Sequence, residues 1–172
     1  MKLAPFFVLL ILLAAAAVGQ DVVSVLPAQP TVGATVTLTY NSAAKAAVHH
    51  SPKEISAQLL GVGKDGVPTM VEVTMQKKGT SYSGSTEVGE GISLFYVQFA
   101  DGDKLDNNND RPWTILVHGD DGQPLAGALY SRGQSYLSGR ALMLKFERDQ
   151  EQGFADLREE VRLYPNAMGP RA

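Results

Sequence analysis

The stretch Ile92-Ser93-Leu94-Phe95-Tyr96-Val97-Gln98-Phe99 decides the fold class. Successive side chains of an extended chain point to opposite faces, so alternation with β-branched and aromatic residues marks a strand. Phe95, Val97 and Phe99 share one face, and Leu94 and Tyr96 share the other. Apolar residues on both faces imply a central strand covered from both sides, or one whose second face meets a partner.

Outward from this stretch the same rhythm repeats. Val22, Val23, Val25 and Leu26 open it, punctuated by Pro27 and Pro30. Val36, Leu38 and Tyr40 alternate with Thr35, Thr37 and Thr39, the pattern of a half-buried strand. A polar, Ala-rich loop is expected over residues 41–52. Strands are expected over 55–62 and at Met70, Val71, Val73 and Met75. Lys64-Asp65-Gly66 and Lys77-Lys78-Gly79 read as turns, and residues 82–88 as a polar edge strand. Trp113 opens a strand to Val117, Asp120-Asp121-Gly122 signals a hairpin turn, and residues 125–130 are expected to close the sheet. Seven or eight short strands at this spacing predict a mainly β, antiparallel sandwich over residues 20–131.

The pattern changes near Gly133. Tyr136, Leu137, Ala141, Leu142, Leu144 and Phe146 fit helical spacing, as do Phe154, Leu157, Val161 and Leu163 or Tyr164. Asp149 and Glu151 stand where a helix dipole favours acidic residues, and Pro165 ends the run. A C-terminal helical hairpin is therefore expected over residues 132–172. It cannot bury its apolar face alone, so it packs on the sandwich or is the start of a longer helical region.

Residues 1–19 read as a secretory signal: Lys2, an apolar run from Phe6 to Ala17, then Ala17-Val18-Gly19. The run is short for a bilayer, which needs about 20 residues, so export to the periplasm or exterior is expected, without stable membrane insertion. The chain has 172 residues, 44% hydrophobic, with a net charge of -3 and no cysteine. It has no strong basic field to hold nucleic acid, so no nucleic-acid partner is expected. Without cysteine it has no disulfides, thiolate metal sites or cysteine nucleophile. No Gly-x-Ser-x-Gly elbow is present, and Gly61-Val62-Gly63 lacks the third glycine of a dinucleotide loop. No cofactor and no enzymatic activity are expected.

Several motifs together carry a resemblance. They are Pro27-Ala28-Gln29-Pro30 with Gly33, and the strand of Phe95, Val97 and Phe99 leading to Asp101-Gly102-Asp103. Asp106-Asn107-Asn108, Asp121-Gly122-Gln123-Pro124 and Ser135-Tyr136-Leu137-Ser138-Gly139-Arg140 complete the set. The chain resembles the N-terminal immunoglobulin-like domain of exported bacterial proteins that continue into helical repeats and a thioredoxin-like, thiol–disulfide domain. That resemblance implies an immunoglobulin-like sandwich and an accessory interaction or scaffold module. Its partners would be another protein or downstream domains of its own parent chain. No Cys-x-x-Cys is present, so no thiol redox chemistry carries over.

A second resemblance is to starch-binding carbohydrate modules, which carry an Asp-Asn-Asn loop beside aromatic residues. It implies a glycan site at Asp103, Asp106, Asn107, Asn108 and Trp113, with Tyr96 in support. Independently, Asp106, Asn108 and Asp110 have the first three spacings of a calcium loop. Arg111 stands at the glycine position, however, and no closing glutamate is present. The plainer reading is that these Asp and Asn residues make turns by bonding their own backbone. Trp113 reads first as a packing aromatic, and His49-His50 as a solvated loop pair, since neighbours on a strand do not chelate together.

Overall fold

The computed structural model describes residues 21–63 and 67–166. The signal sequence expected over residues 1–19 and the turn at Lys64-Asp65-Gly66 lie outside the described residues. The elements in order are β1 (Val23–Leu26), β2 (Thr35–Asn41), β3 (Ser56–Gly63), β4 (Pro68–Thr74), β5 (Gln76–Lys78), β6 (Ser81–Glu87) and β7 (Ile92–Asp101). They continue with β8 (Lys104–Asp106), β9 (Trp113–Leu116), α1 (Ala128–Ser138), β10 (Arg140–Ala141), β11 (Leu144–Lys145) and α2 (Gln150–Leu163).

Two antiparallel sheets face each other. One has the order β1-β2-β6-β5; the other runs β4-β3-β7, with β8 and β9 both on the far edge of β7. This is the strand order of an immunoglobulin-like sandwich, with β8 inserted in the last hairpin. Val36, Leu38 and Tyr40 of β2 meet Ala57 and Leu59 of β3 and Phe95, Val97 and Phe99 of β7 between the sheets. The predicted strands form at those positions because each presents one apolar side chain to this layer at every second residue.

Four expectations are corrected. The strand at residues 81–87 is not an edge: β6 lies between β2 and β5. Lys77 and Lys78 belong to β5, and the chain reverses at Gly79, whose φ is +64°. The expected closing strand at 125–130 does not form; Leu125 bonds back to Val117, and α1 starts at Ala128. The first helix also ends at Ser138 instead of running to Phe146. Gly139 terminates it in the left-handed region (φ 75°), with its N–H on the Ser135 carbonyl.

The segment beyond the sandwich explains the two-sided pattern of β7. Leu94 and Tyr96, with Leu60 and Val62 of β3, form a second core with Ala141 and Phe146. The Tyr96 ring meets Phe146 edge-on at 5.6 Å, and Phe146 meets Tyr136 at 4.9 Å. The Tyr96 hydroxyl is 2.7 Å from Ser135 Oγ and donates to the Ser131 carbonyl of α1 at 3.1 Å. The helical end is thus packed on the outer face of β3 and β7.

α1 and α2 pack against each other through glycines, the leucines Leu137 and Leu157 that lie over them, and charges. A Cβ on Gly133 would sit 2.9 Å from the Gly153 carbonyl, so both positions need the missing side chain. Asp156 takes a two-pronged bond from Arg132 (2.7 and 2.8 Å). Glu160, 1% exposed, accepts from the Gly127 and Tyr130 backbone N–H groups at 2.7 and 3.2 Å. Those are unpaired donors at the start of α1, so α2 supplies the cap that Gly127 lacks.

Burial raises the Tyr96 hydroxyl from its usual 10.0 to about 12, above all other influences. A raised value means the folded state favours neutral tyrosine. The associated stability is present below pH ~10 and is lost as pH rises towards ~12, by at most about 2–3 kcal/mol at ~1.4 kcal/mol per tenfold. Tyr96→Phe is expected to lower stability by about 1–2 kcal/mol at pH 8. Urea unfolding at pH 8 and pH 11 is the measurement: the gap between the parent and the variant should close at the higher pH.

Candidate functional site

The polar segment after β7 is the one concentration of chemistry foreseen in the sequence. Its centre, Asp106, ends β8 and is only 1% exposed. The carboxylate accepts from the Tyr40 hydroxyl (2.7 Å) and the Val48 N–H (3.1 Å) on Oδ2, and from the Asn108 N–H (3.1 Å) on Oδ1. The Tyr40 hydroxyl in turn accepts from the His49 N–H at 3.0 Å. Burial, and then the nearby Asp106 carboxylate, push the Tyr40 hydroxyl far above the usual tyrosine range. Asp106 therefore ties β2, the loop before β3 and its own loop together.

The neighbouring residues make turns. Asn107 donates to Asp110 Oδ1 (3.1 Å) and accepts from the Asp110 N–H (3.0 Å). Asn108 donates to the Arg111 carbonyl at 3.0 Å. Asn108, Asn109 and Asp110 all take positive φ, between 55° and 63°, which Asn and Asp tolerate better than most side chains. Asp110 pairs with Lys145 of β11 at 2.5 Å, and Arg111 pairs with Glu147. The Lys145 bond, and after it that of Asn107, holds the Asp110 carboxyl below its usual value. The Glu147 N–H also donates to the Asp110 carbonyl. The acidic loop is thus clasped to the segment that leads into α2.

Trp113 is partly buried and meets Phe99 edge-on at 5.5 Å, packed against the inter-sheet core. Asp103 is exposed in the turn between β7 and β8. Of the residues proposed for a glycan or calcium, Asp106, Asn107, Asn108 and Asp110 are bonded within one loop. Trp113 faces the core, and Asp103 stands apart from them in its own turn. Among the described residues no three His, Asp or Glu side chains gather as a metal-ligand set.

His49 corrects the solvated-pair expectation. It is 1% exposed, with Nε2 at 3.2 Å from the Phe99 carbonyl and its ring 5.8 Å from Tyr40. His50 alone lies at the surface, with Nδ1 3.1 Å from the Ser42 carbonyl. The hydrogen-bonding Arg111–Glu147 and Asp110–Lys145 contacts were not foreseen, since their partners stand more than thirty residues apart.

Among the described residues no helix is long and apolar enough to cross a membrane. No family model, curated protein or solved structure matches the chain.

Asp106→Ala is expected to destabilise the fold by about 3 kcal/mol, because it strands the Tyr40 hydroxyl and the Val48 N–H. Asp106→Asn, which keeps an acceptor, should cost less than half as much. Urea denaturation separates the two, and equal, negligible effects would refute the tying role. Thermal melting of the unmodified chain is expected to be the same with calcium or with chelator; a calcium-dependent rise in Tm would restore the metal reading.

Proposed function

We propose that the chain is a non-catalytic interaction module of an exported bacterial envelope protein. In this reading it is an accessory immunoglobulin-like domain of a larger thioredoxin-family protein, docked through its helical end to downstream helices of the same parent chain. The signal-like first 19 residues support export. The sandwich order with a helical pair after it supports the family resemblance.

One observation carries the docking role. Phe154 and Val161 of α2 are 50% and 46% exposed, seven residues apart on one helix face beside half-buried Leu157. The tip of the β10–β11 ribbon adds Leu142 and Met143, exposed by 47% and 81%. Half of the large exposed apolar side chains among the described residues, five of ten, therefore fall between Tyr130 and Val161. Exposed apolar side chains concentrated on one part of the fold are what contact surfaces are built from. The chemically capable side chains of the acidic loop, by contrast, are engaged in holding the fold.

A photo-crosslinking residue placed at Phe154 or Val161 in the native, exported protein tests this. Covalent capture of a downstream segment of its own chain or of one neighbouring protein is expected from both positions, and none from Asp120. Loss of capture at both would overturn the reading. So would starch or glycan binding that disappears in Asn107→Ala and Trp113→Ala, which would favour a carbohydrate module.

A further inference from the structure

The sandwich has an open seam between β4 and β6. β4 and β5 are one nearly continuous run that leaves one sheet for the other at Met75, whose N–H still bonds Ile55 of the β3 side. Close passage there depends on Gly84, where a Cβ would lie 2.6 Å from Val73 and 2.8 Å from the Met75 sulfur. Beyond this crossing the strands diverge. A groove of about 580 Å³ opens between β4 and β6, lined by Val71, Glu72, Thr74, Ser83, Ser85 and Thr86 among others.

The groove contains an unfinished ladder. β5 pairs with β6 only at Ser81, Tyr82 and Ser83. Val88 exchanges bonds with Gly33 and Ala34 on the β2 side (N–H to Ala34, carbonyl to Gly33, both 2.9 Å). In an antiparallel strand alternate residues direct both backbone groups to the same neighbour. Thr86 and Gly84 therefore face β2, whereas Ser85 and Glu87 direct their N–H and C=O groups into the seam, where the β5 ladder has already stopped. On the opposite wall, the Met75 bond to Ile55 sets Glu72 and Met70 with their backbone groups outward from β3. Their side chains are exposed as well.

We infer that this seam is a strand-addition site for an extended, basic peptide of another protein, which continues the β5 ladder along Ser85 and Glu87. Main-chain bonds supply the fit, as in other edge-strand recognition. A segment of about four residues spans the distance from Ser83 to Glu87 at ~3.4 Å each. The small side chains of Ser83, Gly84 and Ser85 leave room for it. The charge selects the sign of the guest: Glu72 lines the groove and Glu87 follows its last lining residue, Thr86, along β6, and neither has an ion-pair partner among the described residues. The nearest cation along the chain, Lys77, is directed away, donating to the Pro52 carbonyl and lying 5.3 Å over the Tyr82 ring. The site goes beyond the helical docking role and is separate from it.

The probe is an acetylated, amidated peptide alternating valine and lysine, compared with its valine–glutamate counterpart and with a proline-interrupted version. Amide hydrogen exchange and chemical shifts are read on the whole chain at low salt. The lysine peptide is expected to slow exchange at Ser85 and Glu87 and to shift residues 71–76 and 83–87. The glutamate peptide should bind about tenfold more weakly or worse, and the proline version should give no protection. Glu72→Lys, a surface change, should reverse the preference between the two charged peptides. A Phe154→Ser, Val161→Ser double variant should leave peptide binding intact, which separates this result from failure of the helical docking role. The inference is overturned by unprotected Ser85 and Glu87 amides, by equal binding of the proline peptide, or by a preference unchanged in Glu72→Lys. Concentration-dependent protection of the same amides without peptide would assign the seam to a second copy of the chain and overturn it too.

Discussion

β7 has to be packed on both of its faces, and the architecture is built around that constraint. Phe95, Val97 and Phe99 complete the inter-sheet layer, and that alone would leave Leu94 and Tyr96 in water. Each large side chain withdrawn from water contributes on the order of 1.5–3 kcal/mol. The outer face of β7 therefore requires a cover, and the segment after β9 provides it with Phe146, Ala141 and Tyr136. The helical end is in this sense part of the sandwich's own core.

An immunoglobulin-like sandwich with no cysteine must join its sheets by packing and polar ties. Tyr40 of β2 meets Phe99 of β7 at 4.8 Å, and Trp113 meets Phe99 edge-on at 5.5 Å. Asp106 fixes the Tyr40 hydroxyl and, through it, the backbone of His49. A buried carboxylate is costly unless its oxygens are bonded. Here both oxygens are bonded, so the cost of burial is offset and one geometry is selected for three chain segments.

Much of the sandwich was legible because period-two alternation is a direct imprint of the pleat. β2, β3, β7 and β9 fall where Val36, Leu59, Phe95 and Ile115 and their neighbours predicted them. Residues 125–130 were misread because Leu125-Ala126-Gly127-Ala128-Leu129-Tyr130 is a short apolar run that fits either period. What decides for helix is remote: Glu160 caps the chain at Gly127 from another element. Similarly, Ala141, Leu144 and Phe146 meet helical spacing, yet Gly139 stops α1 and the three side chains reach the second core from a small ribbon and its exit. In the candidate site, the turn-making role of Asn107 and Asn108 was readable from local chemistry. The buried role of Asp106 and His49 was not, because it depends on Tyr40 and Phe99, which local sequence cannot bring near.

The helical pair buries charged groups beside two leucines and leaves other apolar side chains outside. Between α1 and α2 lie Gly133, Gly153, Leu137, Leu157, Arg132, Asp156 and Glu160, while Phe154 and Val161 are turned to solvent. Apolar contacts tolerate sliding and rotation, whereas a two-pronged Arg–carboxylate bond and a cap on specified N–H groups accept one register. Polar ties in the interior thus set how α2 is rotated, and that rotation determines which residues reach the surface. Had α2 turned Phe154 and Val161 inward beside Leu157, its interior would gain apolar area and its exterior would be more polar. The chain instead fixes the helix by Arg132, Asp156 and Glu160, which keeps an apolar stripe outward on a rigid support. For the proposed interaction role, that rigidity matters as much as the stripe, since a preordered surface loses less entropy when it is covered.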